Sequence, residues 1–287
     1  MKISIMTISM LVRVLRSGGD LAAGYRAMME KVAAAGFEAV DITSLELEVL
    51  GLETVRQTVR EAGLGVCSYI AFEWFARADE PTLETRIAQS KAAADAAAAL
   101  GAEVLMLAPQ AGDAIGACTQ EQLLADMAAR WRPAARYAKT LGLHPVVENT
   151  PDARLKLLTP PQLKAFLDAA PELEVVFDSG NALLALEDPA AYYAQVAQRT
   201  AHVHLKDMAL AEANATMADT ALDGRRFTGA PLGTGLVDLP AFVEATKQAG
   251  YDGWYTLEYY TEPGFTEEAS LRNNWLWAGQ LLGCAAP

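Results

Sequence analysis

Cysteine is scarce in this chain. Cys67, Cys118 and Cys284 are odd in number, widely spaced and form no CxxC pair. A disulfide framework is therefore not expected, and a reducing cytoplasmic setting is. Basic residues are also in deficit, 23 Lys and Arg against 36 Asp and Glu, for a formal net charge of −13. Such a surface repels phosphate backbones and anionic lipid headgroups, so neither nucleic acid nor a membrane is an expected partner. No stretch reaches the ~18 uninterrupted apolar residues of a membrane span. The apolar opening MKISIMTISMLV lacks a clear small-residue cleavage site and reads as a first strand, Ile3–Ser9, rather than a signal peptide. No GxGxxG follows it, where an open dinucleotide-binding sheet usually carries its phosphate turn.

What is present is an end-to-end alternation of strand-like and helix-like segments. Short runs rich in Val, Ile, Leu and aromatics recur at Ala39–Thr43, Gly65–Ile70, Glu103–Ala108, Pro145–Glu148, Glu174–Asp178, His202–Leu205 and Trp254–Glu258. They do not alternate strictly, which is how strands covered on both faces read. Helical stretches lie between them, four of which stop at Gly36, Gly63, Gly101 and Gly142, the usual left-handed cap before a following strand. Pro161, Pro189 and Pro240 sit where later helices begin. Eight such units predict one closed (β/α)8 barrel over residues 1–287, a fold that typically takes about 250 residues. One long irregular connection, 208–236, is expected to serve as a lid or binding loop.

Four of the strands close on groups that bind metals: VVENT at 146–150, VVFDSGN at 175–181, AHVHLKD at 201–207 and WYTLEYY at 254–260. They deliver Glu148, Asp178, His204 and Glu258. A charged group ending a buried apolar run is costly without a partner or a cation. In a barrel, strand C-terminal ends meet at one mouth. Three carboxylates and an imidazole suit a hard or borderline divalent cation. Such an ion can polarise a carbonyl and its neighbouring hydroxyl on a small polyhydroxy substrate. Glu148 and Glu258 would then move protons next to that carbonyl. The expected chemistry is isomerisation or epimerisation. Loss of a β-hydroxyl from the same enediolate, a lyase reaction, is the alternative, and a non-catalytic sugar-binding barrel is a further one.

The ordered set VVENT, FDSGN, HVHLKD, GTG–VDL and LEYY resembles the xylose isomerase-like TIM barrels, the sugar phosphate isomerase/epimerase superfamily, over essentially the whole chain. The resemblance implies a metal site of Glu148, Asp178, His204 and Glu258, with the two glutamates exchanging the substrate proton. The ion is commonly manganese in ketose 3-epimerases; Mg2+, Co2+ and Zn2+ are the alternatives. It implies a keto-sugar, sugar acid or cyclitol as substrate. Those epimerases usually carry a His where this chain has Asn181, and an Arg where Lys206 and Asp207 follow His204. The LKD and PLGTGLVDL segments look closer to the inosose dehydratase-like branch.

Further residues carry two readings each. His202 shares a strand face with His204 one layer deeper, as a core histidine or as support for the site. Lys206 either binds a substrate oxygen or neutralises a carboxylate. Arg226, beside Arg225 in the long connection, is a clamp for a substrate anion or half of a solvated pair. Trp74, with Phe72 and Phe75, lines a sugar pocket or packs a loop; Glu73 beside it is expected to be exposed. His144 is expected to be structural, at the opposite end of the barrel. Asp238 is expected to cap a helix. The WLW at 275–277 serves barrel packing or the interface of a homo-oligomer.

Overall fold

Each apolar run forms a strand, and the covering segments fold as helices whose ends obey local capping rules. The computed structural model describes residues 1–215 and 217–284. Residue 216, inside the expected long connection, and residues 285–287, inside the expected domain span, lie outside the described residues. In chain order the strands are β1 Lys2–Met6, β2 Ala39–Thr43, β3 Gly65–Phe75, β4 Val104–Ala111, β5 His144–Glu148, β6 Glu174–Asp178, β7 Thr200–Leu205, β8 Asp207–Leu210, β9 Asp219–Thr220, β10 Arg226–Ala230 and β11 Trp254–Glu258. The helices are α1 Ile8–Ser17, α2 Leu21–Ala35, α3 Ser44–Leu50, α4 Leu52–Glu61, α5 Leu83–Leu100, α6 Gln120–Thr140, α7 Pro160–Ala169, α8 Ser179–Leu184, α9 Pro189–Val196, α10 Leu239–Gln248 and α11 Glu267–Leu282.

β1 to β7 and β11 close a barrel in the order β1-β11-β7-β6-β5-β4-β3-β2. All its pairs are parallel, and closure runs from Lys2 opposite Trp254 to Met6 opposite Glu258. This is the predicted (β/α)8 barrel. Gly36 and Gly101 cap α2 and α5 with φ of 107° and 76°, in the left-handed region the sequence pattern required. Pro189 and Pro240 stand in the first turns of α9 and α10. Asp238 caps α10 by accepting from the Ala241 N–H at 3.0 Å, as expected. Among the described residues no helix is long and apolar enough to cross a membrane.

Three expectations change. The first strand ends at Met6, and Ile8–Ser17 is a helix; Thr7, buried, closes the turn by accepting at its carbonyl from the Met10 and Leu11 N–H groups. β3 does not stop at Ile70 but pairs with β4 as far as Phe75 opposite Ala111. That extension buries Glu73, which was expected to be exposed. Its carboxylate accepts from Ser90 at 2.9 Å and from the Trp131 indole, and meets Arg130 at 2.9 Å. The 208–236 connection is not irregular throughout: β8, β10 and β9 form an antiparallel sheet.

The core lies mainly between strands and helices. Phe177 of β6 stacks on Phe242 of α10 at 5.4 Å and meets Tyr192 and Tyr193 of α9 edge-on. The barrel interior is divided. Ile70, Val104, Met106, Val146 and Val176 fill one side with apolar surface. Ser4, Asp41, Ser68, His202, His204 and Thr256, all buried, fill the other with polar groups. Phe242→Ala should lower unfolding free energy by about 3–5 kcal/mol, the usual cost of emptying a buried aromatic site. Urea titration measures it; a loss under 1 kcal/mol would contradict the packing described.

Candidate functional site

Strand ends are aligned by side chains as well as by ladder bonds. The Asn149 amide donates to the Asp178 carbonyl at 2.9 Å, and its Oδ1 accepts from the Asp178 N–H at 2.8 Å. Ser179 does the same between β6 and β7, donating to the Lys206 carbonyl and accepting from the Lys206 N–H at 2.9 and 3.0 Å. These bonds extend β5–β6–β7 pairing past the last ladder residue. They fix the points from which Glu148, Asp178 and His204 project.

Ligand-type atoms of Glu148, Asp178, His204 and Glu258 lie within 4.8 Å of one another. His204 Nδ1 is 3.1 Å from Glu148 Oε1 and 4.0 Å from Glu258 Oε1. Asp178 Oδ1 accepts from the Asn181 N–H at 2.7 Å, capping α8. Its Oδ2 is buried and has no hydrogen-bond partner. The four residues singled out in the sequence are thus brought to one place.

Lys206 and Asn181 join them. Lys206 Nζ is 3.1 Å from Glu258 Oε2 and donates to Asn181 Oδ1 at 3.2 Å. Tyr260, which the sequence reading passed over, donates to Glu258 Oε2 at 3.3 Å. Gly180 makes room for the lysine, since a Cβ there would stand 2.7 Å from Lys206 Cγ. Asp207, the acid of LKD, binds the GTG turn through the Gly233 and Gly235 N–H groups at 3.0 and 2.8 Å. Two motifs distant in sequence are therefore one structural unit.

Sequence reasoning also missed Asp41 of β2. Its Oδ2 lies 3.1 Å from His202 Nε2 and 3.3 Å from His204 Nε2. Its Oδ1 accepts from Thr256 Oγ1 at 3.0 Å and from the Cys67 thiol at 2.6 Å. The signal existed, an acid inside the apolar run AVDIT, but it sits mid-strand and far from the other motifs. Asp41, Cys67 and His202 also cluster as metal-type ligands. Burial and the Asp41 charge push the Cys67 thiol well up, and hydrogen bonds through Asp41 join the three residues.

Other expected contacts fall elsewhere. His202 is buried beneath His204, with ring centroids 5.3 Å apart, and does not line the mouth. Arg226 is exposed and donates to the Ala215 carbonyl at 2.8 Å. Trp74 is half exposed and lines a separate cavity of about 410 Å³ outside the barrel, with Glu73, Arg86 and Arg130. The charges there are matched internally: Arg86 is held bidentately by Asp126 and Arg130 by Glu73. The cavity at the cluster is about 210 Å³, lined by Glu148 and Glu258 with Met6, Phe72, Met106 and Gln110. It is smaller than the ~300–1,000 Å³ of drug-sized sites and suits a small molecule. His144 is exposed and pairs with Glu174 at 3.0 Å at the other end of its strand, as expected.

The electrostatics follow from crowding. Burial, with the Glu258 and Glu148 charges, holds the Asp178 carboxyl well above its usual range despite Lys206. Burial also works against Glu258, but the Lys206 and His204 charges hold its carboxyl below the usual value. Burial opposes charge on His204 and on Lys206. Hydrogen bonds to Asp41 and Glu148 nevertheless raise the imidazole well above its normal value. The Glu258 and Asp178 carboxylates do the same for the ammonium.

Fold and site together define a parallel (β/α)8 barrel with an acidic cluster of metal-ligand type at its C-terminal rim. The chain belongs to the xylose isomerase-like TIM barrel family, whose model matches residues 29–278. It is 30% identical to the inosose dehydratase of Lacticaseibacillus casei over 97 residues, 32% of each protein, so the match spans about a third of that curated relative. Its structure is similar to that of D-allulose 3-epimerase from Methylomonas sp., with TM-score 0.71 and 20% identity over 98% of each chain. It is also similar to an L-ribulose 3-epimerase, with TM-score 0.73 and 17% identity over 99% of this chain and 95% of the other. At those identities the structural likeness shows the fold alone.

Gly180→Ala tests the cluster's packing. Alanine normally favours a helix over glycine by roughly 0.5–1 kcal/mol. Here the added methyl must displace Lys206, so that gain should vanish. A crystal structure of the variant should show Nζ moved away from Glu258; an undisturbed Lys206–Glu258 pair would refute the contact.

Proposed function

We propose that this chain is a divalent-metal-dependent isomerase or epimerase acting on a keto-sugar, sugar acid or cyclitol. The observation that carries the reading is the unsatisfied cluster itself. Asp178 Oδ2 is buried without a partner. His204 stands between two carboxylates, Glu148 at Nδ1 across 3.1 Å and Asp41 at Nε2 across 3.3 Å, and a neutral imidazole has one N–H to offer the two. A second proton or a cation answers the other, and the donor set of carboxylate oxygens and one imidazole suits Mn2+, Mg2+, Co2+ or Zn2+. The family membership and the similarity to epimerases and a dehydratase support the same reading.

Glu148, Asp178, His204 and Glu258 would hold a divalent ion, and the chemistry it would supply is Lewis-acid polarisation of a carbonyl and the adjacent hydroxyl. The residues of the chain handle the protons. Glu148 and Glu258 both line the cavity, so one carboxylate removes the proton next to the carbonyl and the other returns it. Lys206 and Tyr260 both engage Glu258 Oε2 and hold that carboxylate in one orientation. Met6, Phe72 and Met106 line the apolar side of the cavity. Loss of a β-hydroxyl from the same enediolate is the second reading. The likeness to inosose dehydratase favours it, as does an ammonium at the position of Lys206.

Glu258→Gln should retain the circular dichroism spectrum and melting temperature within a few degrees while abolishing proton exchange. NMR of keto-sugars and inososes in heavy water with Mn2+ reads the exchange. An isomerase incorporates deuterium without losing water, a dehydratase releases water, and a binding protein does neither. Full exchange in the variant would remove Glu258 from the chemistry. Chelation should abolish activity and Mn2+ restore it.

Metal uptake should depend on pH with a defined sign. Asp178 and His204 are both raised above their usual values, so each keeps its proton to higher pH until an ion displaces it. Apparent Mn2+ affinity should therefore rise as pH increases through the neutral range, with net proton release. Calorimetry in two buffers of different ionisation enthalpy measures this; proton-free binding would contradict it.

A further inference from the structure

We propose that Asp41 is a positioning residue that fixes the His204 ring so that Nδ1, and not Nε2, is presented to the metal cluster; the inference rests on the metal reading above.

The argument is one of donors and acceptors. An ionised carboxylate only accepts. Asp41 Oδ2 lies within hydrogen-bond distance of both His204 Nε2 and His202 Nε2, so both nitrogens carry protons. A proton on His204 Nε2 leaves Nδ1 as the free lone pair of the neutral ring. Nδ1 is the nitrogen that faces Glu148 and Glu258. The partner of the distal ring nitrogen thereby selects which nitrogen can ligate.

Asp41 cannot swing away from this task. Its other oxygen is held by the Thr256 hydroxyl and the Cys67 thiol, and Thr256 is in turn bound to Ser4 at 2.6 Å. The pairing of β2 with β3 shifts register between Val40 and Asp41, which are opposite Val66 and Ser68. The extra residue is Cys67, and such a bulge re-aims a side chain, here toward Asp41. Asp41, His202, His204 and Thr256 are all buried, so no water competes for these bonds. An asparagine of the same shape cannot replace the acid. In one orientation its NH2 group faces the two ring N–H groups; in the other it faces the Cys67 thiol, and the Thr256 hydroxyl must turn from donor to acceptor.

Protein labelled with 15N-histidine and loaded with Zn2+, a diamagnetic ion, tests the inference, and with three histidines the spectrum can be assigned. The expected result is a His204 ring protonated on Nε2 with Nδ1 shifted by Zn2+. Asp41→Asn should bind Zn2+ about 10–100-fold more weakly, the usual cost of losing a ligand's hydrogen-bond partner. A shift at Nε2 instead of Nδ1, or unchanged affinity in Asp41→Asn, overturns the inference and leaves the metal reading standing. No Zn2+ effect on His204 in the unaltered protein overturns both. Should Asp41→Asn fail to fold, the ring assignment in the unaltered protein decides alone.

Discussion

Carboxylates crowded at the rim of an apolar barrel need positive charge among them, and this requirement organises the mouth of the protein. Glu148, Asp178 and Glu258 project from three strand ends into a space where water is largely excluded. Lys206 answers part of that charge, and the His204 ring, backed by Asp41, answers another part. What remains is one carboxylate oxygen of Asp178 with no partner. Burying that oxygen without a partner is costly, and burial together with the neighbouring Glu258 and Glu148 charges holds the Asp178 carboxyl well above its usual range.

Local devices serve that arrangement. Asn149 and Ser179 act as extra ladder partners beyond the strand ends, so the ligands rest on sheet-like rigidity rather than on loop backbone. Asp207 ties the connection after β7 back to the GTG turn. The antiparallel sheet of β8, β10 and β9 follows directly from that anchor, which places structured backbone beside the mouth. The division of the barrel interior has the same logic. Hydrogen-bonded groups of β2, β7 and β11 lie under His204, while methyl and thioether groups of β3 to β6 pack opposite them.

Much of this was legible in the chain. Apolar runs separated by glycine-capped helices specify a repeating βα unit, because helix capping and strand composition are local properties. The four ligand-type residues showed themselves because a charged group at the end of a buried run conflicts with its surroundings unless something compensates. Glu73 was misread because IAFEWF looks like the end of a strand followed by a loop. Only its pairing with β4, a partner more than thirty residues away, makes it strand and buries the acid. Trp74 and Arg226 were plausible by type, but their placement depends on which side of β3 and of the small sheet faces the mouth.

The sequence by itself determined the eight-unit barrel and showed Glu148, Asp178, His204 and Glu258 as ligand-type groups at four strand ends, since periodicity, capping and strand-end charge are written in neighbouring residues. Tertiary structure alone decided the network beneath them. Asp41 meets His204 across 163 positions of sequence. The phase of both strands is set by register shifts, between Val40 and Asp41 against β3 and between Val175 and Val176 against β7. A bulge changes which face a side chain takes without changing the local composition, so no pattern within one strand announces it.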